Sequence, residues 1–222
     1  KSRINYRYDR EKTTPYKYSV LFDDYGVFVE FAPGKQAAMY SLTFEEDGDR
    51  FIQLRATGKG EIKGEGNTLS GYDVYVNNHT KHYFYAEFDQ TPIAFSENGN
   101  GTAINYAQFD KNVKRVNMRY GVSYISVEQA KKNLEKEIKD YNLENLALTA
   151  RNEWNKALGK IDVSGGTEDQ KTTFYTALYR SHERMINISE DGKYFSGFDG
   201  KVHDDEGVDF WTDDWIWDNY HA

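Results

Sequence analysis

The chain has 222 residues, of which 38% are hydrophobic and 16% aromatic, and its mean hydropathy is −0.84. This combination indicates a polar surface around an aromatic-rich core and excludes a disordered chain. The formal net charge of −8 argues against nucleic acid and anionic membranes as partners, and the absence of cysteine excludes disulfides, catalytic thiols and cysteine-based zinc sites. No apolar run approaches the ~20 residues of a membrane-spanning helix.

Residues 16 to about 124 predict antiparallel β-structure. Two apolar runs, Tyr16–Phe22 and Val27–Phe31, flank a segment with turn chemistry, Asp23-Asp24-Tyr25-Gly26. Many short, evenly spaced strands are typical of a β-sandwich. The further predicted strands are Ala38–Phe44, Phe51–Ala56, Tyr72–Val76, Tyr83–Phe88, Ala103–Gln108 and Val116–Ile125.

The apolar period changes near residue 125 from two residues to three and four, which predicts that helices follow the strands. Ser126 with Gln129 predicts a capped first helix, whose apolar stripe is Val127, Ala130, Leu134, Ile138 and Tyr141. A second predicted helix carries Leu143, Leu146, Ala150, Trp154, Leu158 and Ile161. A third, capped by Thr167 with Gln170, carries Phe174, Leu178 and Met185. Residues 188–195 and 197–202 then predict a hairpin or a long loop.

Two polar clusters favour ordinary surface roles. His79 and His82 have no convincing third ligand nearby for zinc. An acidic run lacks the spacing of an EF-hand calcium loop and therefore predicts a solvated loop; it consists of Asp204, Asp205, Glu206 and Asp209.

Residues 210–221 are the most informative segment, because they hold three of the four tryptophans together with three carboxylates. A sugar-binding site needs this pairing, since the apolar face of a pyranose stacks on an aromatic ring and its hydroxyls bind polar acceptors. An alternative is that the tryptophans belong to a helical core, with Asp213 and Asp214 stabilising the start of the helix.

Several segments in the expected order resemble glycoside hydrolase family 92, a family of α-mannosidases common in gut Bacteroidetes. The most specific are Thr173–Arg180, Asp191–Tyr194 and Asp214–Tyr220; the others are Tyr16–Val20, Val29–Pro33, Gly121–Ala130 and Asn133-Leu134. The resemblance implies an α+β multidomain fold, with an antiparallel β-sandwich followed by a helical linker and the beginning of an (α/α)6 barrel.

The resemblance also implies domain boundaries. Residues 1–125 correspond to an incomplete N-terminal β-sandwich, 126–165 to the helical linker, and 166–222 to the start of a truncated catalytic (α/α)6 barrel. We expect the opening sandwich strands to lie before Lys1 and most of the barrel to lie after Ala222.

Members of the family are exo-acting, calcium-dependent and inverting, so the resemblance implies part of an enzyme that removes terminal mannose from N-glycans or mannans. No residue of this chain matches the general acid or general base by motif, and the calcium ligands are expected outside the chain. Asp218 is the residue that carries over, as a contact to the terminal mannose, and Trp217 is expected to pack beneath it. The alternative for Asp218 is a helix cap.

The implied partners are mannose-containing glycans, and the implied location is secreted, periplasmic or at the cell surface of a bacterium. We expect the fragment alone to be inactive, because it lacks an identifiable acid and base. Two other classes stay open at this point: a non-catalytic carbohydrate-binding β-sandwich module and a purely structural domain.

Overall fold

The computed structural model describes residues 7–56, 59–74, 80–97, 104–182 and 185–212. Within these residues, eleven strands precede three α-helices, a short 3-10 helix at Asp23–Tyr25 lies between the second and third strands, and a two-stranded hairpin follows. The first strands are β1 Tyr8–Thr13, β2 Tyr18–Phe22, β3 Val27–Pro33, β4 Ala37–Phe44, β5 Arg50–Arg55, β6 Glu61–Glu65, β7 Thr68–Val74, β8 Lys81–Phe88, β9 Ala94–Glu97, β10 Ile104–Phe109 and β11 Arg115–Ser123. They are followed by α1 Val127–Glu137, α2 Leu143–Leu158, α3 Glu168–Arg180, β12 Lys193–Ser196 and β13 Lys201–Asp204.

The strands form a large sheet of eight strands and a smaller sheet of three. The order in the large sheet is β1-β2-β3-β4-β11-β8-β7-β6, and the order in the small sheet is β5-β10-β9. All neighbouring pairs are antiparallel. The prediction of an antiparallel β-sandwich followed by helices is therefore confirmed.

One hydrophobic core includes residues from both sheets. Its largest fully buried side chains, Phe88 and Phe109, meet edge to face with ring centroids 5.2 Å apart. Because successive side chains of a strand point to opposite faces, alternate residues of each strand enter this core. Its buried members are Phe44, Ile52, Ala56, Ile62, Leu69, Ala86, Phe88, Ala107, Phe109, Val116 and Met118.

The opposite face of the large sheet is partly covered by α1 and the first part of α2. Gly121 permits this contact, because a Cβ atom at that position would lie 2.1 Å from the Ala130 carbonyl oxygen. The Ser126 hydroxyl accepts a hydrogen bond from the Gln129 amide and caps α1. Of the predicted stripe, Leu134 and Ile138 are buried in a second core, although Ile138 and Tyr141 follow the end of α1 at Glu137. The buried members of this core are Ala32, Ala37, Met39, Leu134, Ile138, Leu143 and Ala147.

Ionic contacts fix the connection between α1 and α2 to the sheet. The Arg119 guanidinium binds Glu87 at 2.6 Å and also donates to the Ile138 carbonyl oxygen at 2.6 Å. The Lys17 ammonium lies 2.9 Å from Glu30 and also contacts Glu144 at the start of α2. These pairs hold residues 138–144 against the sheet.

The sequence did not reveal β1, β6 and β9. β1 is exposed along its whole length and lies at the edge of the large sheet, and β6 lies at the opposite edge with Ile62 as its buried residue. Edge strands rich in charged residues lack the apolar alternation that marks a strand in the sequence.

The third helix also differs from its prediction, because it ends at Arg180 and does not include Met185. The Leu178 carbonyl oxygen accepts a hydrogen bond from the Ser181 hydroxyl at 2.7 Å and lies 2.9 Å from the His182 ring. These side chains occupy a carbonyl that a longer helix would use, so the helix stops there.

The chain divides into two compact units, residues 1–151 and 152–222. This division follows spatial contacts and does not test the predicted domain limits at 125 and 165, which stay predictions. No helix among the described residues is long and apolar enough to cross a membrane.

Candidate carbohydrate-binding site

The two predicted substrate-binding residues, Trp217 and Asp218, lie outside the described residues, as does the whole of 213–222. The described part of the second unit shows the structure that leads to them. It contains the end of α2, helix α3, the hairpin β12–β13 and the following segment up to Thr212.

Helix α3 begins with a complete capping box. The Thr167 hydroxyl accepts from the Gln170 amide at 3.2 Å, and the Gln170 side chain accepts from the Thr167 amide at 2.9 Å. The Trp154 ring of α2 lies 4.8 Å from the Tyr179 ring of α3. The two hydrogen bonds between Thr167 and Gln170 confirm the cap that the sequence predicted.

The hairpin β12–β13 is held in register at four residue pairs, from Lys193 opposite Asp204 to Ser196 opposite Lys201. The Lys193 ammonium binds Asp204 at 2.7 Å. Near the turn, both carboxylate oxygens of Asp199 lie within 3.1 Å of the His203 ring nitrogen Nε2. These contacts fix the hairpin on both sides of its turn.

The segment after the hairpin returns to the chain that precedes it. Phe210 accepts a backbone hydrogen bond from Ile188, and Thr212 donates one to Ile186, so that Trp211 pairs with Asn187. The Ile186 amide also donates to the Thr212 hydroxyl at 2.9 Å. The last described residues before the predicted site are therefore anchored by hydrogen bonds.

A groove of about 540 Å³ lies beside this hairpin. One part of its lining is aromatic, because the Tyr194 and Phe210 rings stack with centroids 4.0 Å apart. The other part is acidic, and includes the residues that the sequence assigned to a solvated loop. The sequence could not reveal this juxtaposition, because Tyr194 and Phe210 are distant along the chain and the stack forms only when the hairpin folds back.

Hydrogen bonds orient three carboxylates of this groove. Asp204 accepts from Lys193, Asp209 accepts from the Asn187 side chain at 2.8 Å, and Asp205 accepts from the Gly207 amide at 2.9 Å. The hydrogen bond from Lys193 lowers the pKa of Asp204. Ionised carboxylates beside aromatic rings are able to accept hydrogen bonds from sugar hydroxyls.

Among the described residues, no group of three or more acidic, histidine or cysteine side chains is placed to hold a metal ion. Of the two histidines considered from the sequence, His79 lies outside the described residues. His82 packs edge to face against Tyr124, with ring centroids 4.9 Å apart, and burial lowers its pKa. Burial therefore favours the neutral form of His82.

Two family models match the chain in succession. The glycosyl hydrolase family 92 N-terminal domain matches residues 1–123, and the glycosyl hydrolase family 92 catalytic domain matches residues 129–222. The chain belongs to glycosyl hydrolase family 92.

Solved structures of the family share this fold. An inverting mannosidase of family GH92 from Bacteroides thetaiotaomicron VPI-5482 has 29% identity and a TM-score of 0.85, over 96% of this chain and 32% of that one. An alpha-mannosidase of family GH92 from Bacteroides thetaiotaomicron has 23% identity and a TM-score of 0.83, over 98% of this chain and 33% of that one. The chain thus spans about a third of the length of these proteins.

A further relative is similar over a shorter part of the chain. An uncharacterized secreted glycosidase from Arthroderma benhamiae is 38% identical over 85 residues, which are 36% of this chain and 11% of that protein. This relative is a glycosidase, but the similar segment covers only a small part of its length.

Proposed function

We propose that this chain is part of an exo-acting, inverting α-mannosidase that removes terminal mannose from glycans. The observation that carries the proposal is the consecutive match to both domains of family 92, over residues 1–123 and 129–222. The similarity to an inverting mannosidase over 96% of the chain supports the same reaction class.

An inverting glycosidase needs two carboxyl groups about 6.5–9.5 Å apart, one acting as acid and one as base towards an attacking water. We assign neither role to a residue of this chain. We propose that Asp218 binds hydroxyls of the terminal mannose by charge-assisted hydrogen bonds and that Trp217 packs beneath it. The proposed role of the chain is therefore to hold the sugar while other parts of the enzyme perform the proton transfers.

We further propose that the enzyme depends on calcium, with ligands supplied by residues other than those described. The test is the activity of the complete enzyme after chelation and after calcium is added back. Activity that survives chelation, with calcium content measured as zero, would contradict this part of the proposal.

We also propose an exported bacterial enzyme, whether secreted, periplasmic or bound at the cell surface. The secreted glycosidase from Arthroderma benhamiae, similar over 85 residues, supports export, and the similar inverting mannosidase from Bacteroides thetaiotaomicron supports a bacterial source. Cell fractionation with an antibody against the chain is the test, and recovery in the cytosol alone would oppose the proposal.

Asp218→Ala in the complete enzyme tests the sugar-binding role. Losing a charge-assisted contact in a desolvated site costs about 2–4 kcal/mol, so we expect kcat/KM on mannosides to fall about thirtyfold to a thousandfold. A helix cap would instead lower stability by about 1 kcal/mol and leave turnover near normal. Asp162→Ala, which removes an exposed carboxylate outside this segment, is the matched control. Measuring Tm and kcat/KM of both variants separates the two roles.

The 222-residue chain on its own is expected to hydrolyse no mannoside, because no acid and base pair is assigned to it. The assay is mannose release by the purified chain against a buffer blank. If the complete enzyme also binds mannosides without hydrolysing them, a non-catalytic carbohydrate-binding module becomes the better description.

A further inference from the structure

A second groove, of about 470 Å³, lies in the first unit. Strands β3, β4 and β11 form its floor, where Glu30, Ser41 and Asn117 are direct cross-strand neighbours. The end of the connection between α1 and α2, together with the first two residues of α2, forms one wall over residues 140–144, and Arg115 completes the lining. The groove is thus built from regular strands and from a connection that ion pairs hold in place.

Ser41 is the unusual residue of this floor. It is 3% exposed, yet its hydroxyl makes no hydrogen bond within the described chain. Among the described residues, Asn105 Oδ1 is the one side-chain N or O atom that is both fully buried and without a partner. Ser41 Oγ is not in this class, so the hydroxyl is still accessible from the groove. A nearly buried hydroxyl without a partner is unfavourable unless a water or a ligand binds it.

The neighbouring groups are oriented but retain free hydrogen-bonding capacity. The backbone and side-chain amides of Asn117 both donate to Asp89, at 2.8 and 2.6 Å, and its carbonyl Oδ1 accepts nothing from the described residues. The Arg115 Nε donates to the Thr43 hydroxyl at 3.1 Å, while its two terminal nitrogens have no partner in the described chain. The groove therefore offers fixed donors and acceptors side by side.

The charges of the groove disfavour most other ligand classes. Three carboxylates line it, Glu30, Asp140 and Glu144, with Arg115 as the lining cation. Lys17 pairs with Glu30 and Glu144, so an anion still meets more carboxylates than cations. A divalent cation is disfavoured by the guanidinium, and the described residues hold no metal-binding group. An apolar ligand finds only Leu143 and the Tyr141 ring. A neutral ligand with many hydroxyls matches alternating donors and acceptors best.

We propose that this groove binds a neutral saccharide unit, whose hydroxyls contact Ser41, Asn117 and Arg115. The proposed function enters only in the choice of mannose as the first probe. Binding is measured without hydrolysis, so a failure of the enzymatic proposal leaves this inference standing, and the reverse also holds.

The experiment titrates methyl α-mannopyranoside, and separately methyl α-glucopyranoside, into isotope-labelled full chain and follows amide chemical shifts. We expect saturable shifts at residues 41, 115–117 and 140–144. Ser41→Ala should weaken binding about tenfold, because the lost hydroxyl contact is worth about one hydrogen bond. Ser96→Ala, at an exposed position on β9, is the matched control and should bind normally.

Arg115→Gln is the second variant, since it removes the charge at an exposed side chain and is expected to leave the fold intact. Saturable binding of either sugar that both groove variants weaken supports the proposal; a preference for glucoside would support it while separating it from mannosidase activity. Shifts caused by inorganic phosphate and not by either sugar would overturn it. The absence of saturable shifts with both sugars in a folded chain would overturn it as well.

Discussion

The two compact units, residues 1–151 and 152–222, differ in how far their apolar side chains are buried. Every buried hydrophobic residue of the described chain lies between Val20 and Ala147, within the first unit. In the second unit, the buried described residues are polar, namely Glu190 and Ser196. Its exposed apolar residues are Ile161, Phe174, Met185, Ile186, Phe198, Val202, Val208 and Trp211.

This difference separates local order from global stability. The second unit has a capping box, a paired hairpin and a stack of Tyr194 on Phe210. Such local contacts specify conformation, but burial of apolar surface supplies most of the free energy of folding. We therefore expect the first unit to supply the cooperative stability of the chain, and we expect the free energy of unfolding of the second unit to be small.

Hydrogen exchange should show the largest contrast between the units. Amides of β11 and α1 lie against a hydrophobic core and should open only with global unfolding, whereas amides of α3 should exchange after local opening. We expect protection factors that differ by orders of magnitude, measured on the same sample by mass spectrometry. Equal protection in α3 and β11 would show that the second unit is stabilised by burial after all.

Gly121→Ala tests how closely packed the first unit is. The new Cβ would lie 2.1 Å from the Ala130 carbonyl oxygen and 3.0 Å from the Leu134 Cβ, so α1 must move away from β11. We expect the free energy of unfolding to fall by about 3 kcal/mol, as overpacking of a core does. Chemical denaturation measures the change.

Gly197→Ala is the matched control for that change, because a Cβ there meets nothing within 4 Å. It should alter the free energy of unfolding by no more than about 0.5 kcal/mol. If the two variants lose equal stability, the close approach of α1 to β11 does not restrict the size of the side chain tolerated at position 121.

The sequence predicted the core of the first unit better than its edges. The stripe of α1 was visible because Ala130, Leu134 and Ile138 recur at helical spacing, and all three are buried in the structure. Edge strand β1, in contrast, carries charged residues that nothing distinguishes from a loop in the sequence. Pairing with β2 determines its structure, and pairing between strands is a tertiary property.

For the two grooves the sequence was less informative, because each depends on residues that are distant along the chain. Glu30, Ser41 and Asn117 come from three strands and meet only through the register of the sheet. The acidic run at 204–209 was visible in the sequence, but its proximity to the Tyr194 ring was not, because the two come together only in the folded hairpin. The predicted contact at Asp218 rests on family resemblance, and its role stays a prediction.

Alkaline titration should weaken the first unit through its buried phenols. Burial raises the pKa of Tyr120 to about 12, with smaller contributions from Tyr40, whereas the ordinary value is 10.0. The folded state therefore prefers the neutral phenol, so this stabilisation is complete below pH 10.0 and is lost as the pH rises from there through about 12. Tyr120→Phe should reduce the slope of stability against pH by up to about 1.4 kcal/mol per pH unit in that window.

Denaturation midpoints measured across this pH range give the slope for each protein. Tyr25→Phe, at a ring that is 56% exposed, is the control and should follow the unmodified chain. Identical slopes for Tyr120→Phe and Tyr25→Phe would mean that burial of Tyr120 does not couple its proton to folding.

The smallest expected effect compares the helix caps of the two units. Ser126 caps α1 in the first unit, and Thr167 caps α3 in the second, each by accepting one backbone hydrogen bond. Replacing either residue with alanine costs the helix about 1 kcal/mol. If cooperative stability resides in the first unit, Ser126→Ala lowers the global free energy of unfolding by that amount, while Thr167→Ala changes only helicity and exchange of α3. Thr167→Ser, which keeps the hydroxyl, should restore α3. A global loss of about 1 kcal/mol in Thr167→Ala would instead show that α3 unfolds together with the sandwich, and the contrast between the units would have to be abandoned.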